Sequence, residues 1–225
     1  MKTLPSRNRG FSLLELIVVI LIIGIIAAFA IPAASTILRG SQINQSSQIL
    51  IDQISLARQQ ALTRNRVVEV RFIRYTDPEV PGDKGPDNQP GAFRAIQVFE
   101  ILDSGAKVAL DKPQLLPPSV VMSATSDLST LIGTATATGS PKKTTTPTAN
   151  DPDLPRNIAK NYSYVSFQYL PDGSTDLKAT DVWFVTVHNM NDKATPEKIK
   201  QREVNFFTLQ IDPVSGTTRN YRPSI

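Results

Sequence analysis

Two hydrophobic periods divide this chain. From Phe11 to Ala34 apolar residues follow one another with little interruption beyond Glu15 and Pro32, and from Leu16 to Leu38 no side chain is charged. At about 1.5 Å per residue that run is long enough to cross a bilayer core of roughly 30 Å. Beyond it, Ile43, Ser47, Leu50, Ile54, Ala57 and Ala61 recur in alternating steps of four and three. That spacing predicts one narrow apolar helix face, with Gln45, Gln48, Asp52, Arg58 and Gln59 on the opposite side. Gly40 weakens such a helix without ending it, so a single helix from Phe11 to about Asn65, roughly 80 Å long, is expected.

After Asn65 the period drops to two. Val68, Val70 and Phe72 alternate with Glu69 and Arg71, the pattern of a half-buried strand. Further strands are expected at Ala92–Leu102, Val108–Leu110, Tyr162–Tyr169, Asp181–Val187, Val204–Ile211 and Thr217–Tyr221. Two stretches interrupt them. The Pro- and Gly-rich segment 76–91 forbids regular structure. Residues 123–155 begin with a Ser/Thr-rich tract, expected to be a mobile surface insertion. One long helix followed by antiparallel strands is an α+β arrangement. The expected divisions are a leader at 1–10, an apolar helix half at 11–34, an amphipathic half at 35–65 and a β-rich head at 66–225.

Charge sharpens the N-terminal picture. Three of the 24 basic residues, Lys2, Arg7 and Arg9, lie among the first ten with no acid, leaving 21 basic against 20 acidic residues elsewhere. The excess sits where a cytoplasmic membrane flank needs it, which predicts a cytoplasmic N-terminus with the remainder outside. Near-balance over the rest argues against a surface that attracts nucleic acid as a whole. Cysteine is absent, so disulfides and thiolate metal sites are excluded. His188 is the single histidine, too little material for a His-rich zinc site or a Ser-His-Asp triad. Walker and nucleophile-elbow motifs are missing too, so the chain reads as neither an enzyme nor the holder of a cofactor.

Three readings of the N-terminus compete: a cleaved signal peptide with an A-x-A-like site at Ala28-Phe29-Ala30, a plain anchor, and a processed leader. Gly10-Phe11-Ser12-Leu13-Leu14-Glu15 resembles the type IV prepilin signal, in which an apolar run follows G-F-[ST]-L-x-E. The resemblance implies cleavage between Gly10 and Phe11 by prepilin peptidase and N-methylation of Phe11. It also implies that Glu15 pairs with the terminal amine of an adjacent subunit during assembly, and that Gly24 and Pro32 weaken the helix locally.

The segment SQILIDQISLARQQALTRNRVVEV, with FQYLPDGST and the closing FFTLQIDPVSGTTRNY, resembles the GspH/FimT pseudopilin family. That resemblance implies a pilin-like fold with the long helix packed on an antiparallel head. Its implied role is a minor subunit of a type II secretion-like pseudopilus or a type IV pilus in the bacterial inner membrane, the head periplasmic. Sister subunits and a platform with a separate ATPase would be partners. A FimT-like alternative implies DNA contact through Arg219, Tyr221 and Arg222; a secreted β-rich binding protein is the other. Asp77, Glu79, Asp83 and Asp87 lack the spacing of a calcium loop, and no metal is expected there.

Overall fold

The computed structural model describes residues 13–77, 91–133, 142–144, 162–192, 194–201 and 204–222, and at 29–36, 142–144 and 200 the backbone alone. The chain divides into two compact units, Met1–Gly40 and Ser41–Ile225.

Helix α1 spans Leu13–Arg64. Its backbone stays helical through Gly24, Pro32 and Gly40. It stops at Asn65, which sits at φ 52°. Left-handed backbone costs least for Gly and for Asn, whose short amide bonds locally. The N–H of Arg66 then donates to the carbonyl of Ala61 at 3.3 Å, closing the 6→1 ring of a Schellman motif.

The strands in chain order are β1 (Val68–Tyr75), β2 (Ala92–Ile101), β3 (Lys107–Ala109), β4 (Gln114–Leu115), β5 (Val120–Met122), β6 (Lys142–Thr144), β7 (Ser163–Tyr169) and β8 (Trp183–Asn189). A short helix, α2 (Pro196–Lys200), precedes β9 (Phe206–Ile211) and β10 (Thr218–Tyr221). They form one sheet in the order β10-β9-β8-β5-β2-β1-β7-β6, every pairing antiparallel. One edge of β2 is taken along its length by β1, while β3, β4 and β5 share the other. The α+β arrangement read from periodicity is thus present, with strand limits close to those expected. Three short strands and α2 lay outside the expected elements. Strands of two or three residues are below the length at which alternation can be read; α2 does carry a signal, a Thr195 cap accepting from Lys198 N–H before Pro196.

Within Ser41–Ile225 the core lies between the helix and one sheet face. Ile43, Leu50, Ile54, Ala57 and Ala61 are buried with Val70, Phe72, Val98, Val185 and Leu209. Five of the six stripe positions are therefore at the interface, and Ser46 replaces Ser47 as its buried serine.

Two expectations need correction. Strand β1 is not half-buried: all eight residues are buried, Glu69 and Arg71 included. The polar positions of its alternation face a second covered layer, where Ile73, Tyr75, Ala95 and Tyr164 cluster. There Arg71 lies between the rings of Phe99 and Tyr164, at 4.1 and 4.2 Å. Its guanidinium donates to Glu69 at 3.2 Å, and Lys107 Nζ approaches the same carboxylate at 2.8 Å.

The Ser/Thr-rich tract also departs from expectation. Its first part is packed, with Ser129 and Leu131 fully buried. Ser123 N–H donates to Thr186 O at 2.8 Å and Leu131 N–H to Phe184 O at 3.1 Å. Ser129 Oγ accepts from Thr186 N–H, and Thr130 Oγ1 both accepts from Phe184 N–H and donates to Val182 O. Hydroxyls here satisfy the edge of β8 in place of a neighbouring backbone, which keeps buried peptide groups paired. Residues 134–141 and 145–155 of this insertion lie outside the described residues, as do 78–90 of the first.

Candidate functional site

The N-terminal helix is built of residues that water disfavours. Twelve large apolar side chains between Leu13 and Ile26 are exposed, from 45% at Val19 to 79% at Leu13. Successive helical positions step by about 100°, so consecutive exposed apolar residues cover every side of the cylinder. Each such side chain gains about 1.5–3 kcal/mol on leaving water. A helix apolar all round belongs inside a protein core or a membrane, not on a wet surface. The described side chains of this run end at Ala28 and resume at Ile37. Among the described residues, no helix is long and apolar enough to cross a membrane.

Glu15 stands in the first turn of that helix and is exposed. An acid there complements the positive end of the helix dipole. Gly10 and Phe11, the expected cleavage and methylation positions, lie outside the described residues. Gly24 is exposed, and a Cβ built on it meets nothing within 4 Å. Of Pro32 only the backbone is described.

Of the C-terminal trio, Arg219 and Tyr221 both reach Gln210, and Arg222 does not join them. Arg219 borders a cavity of about 280 Å³ alongside Asp181 and Asp212. Tyr221, on the same strand, donates its hydroxyl to Gln210 at 2.9 Å. Arg222 instead donates to Asn44 on α1. Asp212 accepts from the Ser215 and Val214 N–H groups, which hold its carboxyl below the usual range, with a smaller contribution from Arg219. One of the three cations or rings expected to meet a polynucleotide is thus tied to the helix, and another sits beside carboxylates.

His188 lies half-buried on β8, its Nδ1 2.8 Å from Asn189 O. Burial lowers its pKa below the ordinary 6.5, against the opposing pull of the Asn189 carbonyl and Asp192. The folded protein therefore holds it neutral at a pH where the unfolded chain takes up a proton. Stability from this group is complete above pH 6.5 and is lost as pH falls toward the folded value, at about 1.4 kcal/mol per pH unit crossed. The melting temperature of the full chain in detergent is expected to fall more between pH 7.5 and 5 than that of His188→Gln; parallel profiles would contradict it. Among the described residues no group of three or more His, Asp or Glu could hold a metal ion. Asp77 of the acidic loop accepts from Arg94 at 3.4 Å, while Glu79, Asp83 and Asp87 lie outside the described residues.

A groove of about 570 Å³ had no counterpart in the sequence reading. It runs beside the second half of α1, with Arg58, Leu62, Tyr169 and Gly216 on its walls. Its parts come from three elements far apart in the chain, so no local motif announces it.

Residues 5–31 match the prokaryotic N-terminal methylation motif, a stretch that takes in Gly10, Phe11, Glu15 and Gly24. Behind that motif the chain continues as a long helix followed by an antiparallel sheet. No curated protein sequence matches it. Among solved structures, the minor pseudopilin EpsH from the Type 2 Secretion System of Vibrio cholerae superposes with a TM-score of 0.41 at 8% identity, over 82% of this chain and 99% of that one. So loose a likeness decides nothing about function.

Proposed function

We propose that this chain is a minor pilin or pseudopilin subunit, a structural part of a filament and not a catalyst. Prepilin peptidase cuts between Gly10 and Phe11, and the new N-terminal amine on Phe11 is methylated. The uncharged run from Leu16 to Leu38 holds the subunit in the bacterial inner membrane, its basic flank cytoplasmic and its β-rich head periplasmic. The subunit then leaves the bilayer to pack its helix among those of sister subunits, driven by an ATPase on a separate platform.

The observation that carries this reading is an acid in the first turn of a helix whose described neighbours are apolar on every side. In a dry helical bundle desolvating a carboxylate is costly, and an ammonium of opposite charge offsets that cost. Cleavage at Gly10 creates such an ammonium four residues before Glu15. Mass spectrometry of the membrane-extracted protein is expected to find a chain beginning at N-methylated Phe11. A start at Met1 or Ile31 would sink the assignment.

A further inference from the structure

The groove beside α1 has features of a built binding site. Its floor is apolar, with buried Ile54 and Tyr169, and Leu62, 45% exposed, forms part of the wall. Its lining contains one cation, Arg58, and no carboxylate. Arg58 Nε donates to Ser215 O at 3.2 Å, which fixes the guanidinium. That bond uses one of its five donors, and among the described residues the terminal nitrogens of this groove-lining side chain make no hydrogen bond.

The wall that holds Arg58 is itself fixed. Tyr169 donates its hydroxyl to Gly216 O at 3.1 Å. Gly216 sits at φ +64°, and a Cβ there would lie 2.0 Å from Gly173 O, so the turn admits glycine alone. A planar cation held by a rigid turn, over an apolar floor, loses little freedom when it pairs.

We propose that this groove docks an acidic peptide segment of a partner protein. A side-chain carboxylate of the segment receives two parallel N–H bonds from Arg58, and an adjoining aliphatic side chain covers Ile54, Leu62 and Tyr169. The unbalanced positive charge of the lining selects the anion, and the apolar floor selects its neighbour. The site is independent of leader cleavage and of Glu15, so it stands or falls apart from the filament role.

The test titrates the full-length protein in detergent micelles with N-acetyl-Glu-Leu-Leu-amide and with the same peptide carrying Gln for Glu, followed by calorimetry. The acidic peptide is expected to bind at least about tenfold tighter, the worth of a charge-assisted pair. Arg58→Gln should remove that preference, with an unchanged melting temperature showing that the fold survives. Ser55→Trp, at the exposed rim, should block both peptides and carries the test if Arg58→Gln does not fold. Equal affinity for the two peptides, undiminished preference in Arg58→Gln, or no binding at all would overturn the proposal. Tighter binding of octanoate than of the acidic peptide would overturn it too, by giving the site to a free fatty acid.

Discussion

Under the proposed function, Glu15→Ala yields subunits that are cleaved and methylated normally yet enter filaments poorly. The substitution leaves the Gly10–Phe11 bond intact, so processing has no reason to slow. It strands the Phe11 ammonium of a neighbour in an apolar bundle. Removing one partner of a buried pair costs about 3–5 kcal/mol, more than about a hundredfold in an equilibrium at roughly 1.4 kcal/mol per decade. Incorporation is read by quantifying the variant in sheared filaments against its level in the membrane. Glu15→Asp keeps the charge and should retain part of the activity, which separates lost pairing from lost helix. Filament levels equal to the parent's in Glu15→Ala would refute the pairing.

The second large effect concerns stability of the head. Glu69→Ala is expected to cost about 3–5 kcal/mol, because Arg71 and Lys107 then lose the carboxylate they share. Both the Glu69 and Arg71 side chains are almost wholly shielded from water, at 3% and 2% exposure, so solvent screening cannot replace the lost partner. Burial by itself would raise the Glu69 pKa, but Lys107 and Arg71 outweigh it and hold the group below its ordinary 4.5. The stabilisation is therefore present above pH 4.5 and drains away as pH falls through the folded value. Urea unfolding of the full chain in detergent at pH 7 and pH 4 measures both. The double variant Glu69→Leu with Arg71→Met removes the charges together and should cost far less than Glu69→Ala. A double variant as unstable as the single one would contradict the ion-pair account.

The sequence announced this strand but not its surroundings. Alternation in Val68–Tyr75 reports which side of the ribbon each residue takes. It carries no information on whether a second layer covers the polar side, and here one does. The same limit hid the packed start of the Ser/Thr-rich tract. Composition marks Ser129 and Thr130 as surface residues, yet their hydroxyls serve as ladder partners for β8. By contrast, the end of α1 was readable at Asn65, where the helical period gives way to alternation and the residue suits a left-handed turn. The N-terminal methylation motif was readable because its chemistry is contiguous: a small residue at the expected cut, an acid soon after, and an apolar run. Arg58, Tyr169 and Gly216 have no such contiguity, and only the folded chain brings them together.

The place of β1 between β2 and β7 also fixes an order of events during synthesis. Its pairing with β2 needs only the next segment of chain, but its other edge stays open until Ser163–Tyr169 has emerged. Contacts so distant in sequence form late and slow the search for the native state. Until then a ribbon with one apolar face and unsatisfied peptide groups is available to any other nascent chain. Folding without aggregation therefore requires that the first half be kept apart from its siblings until the last third arrives.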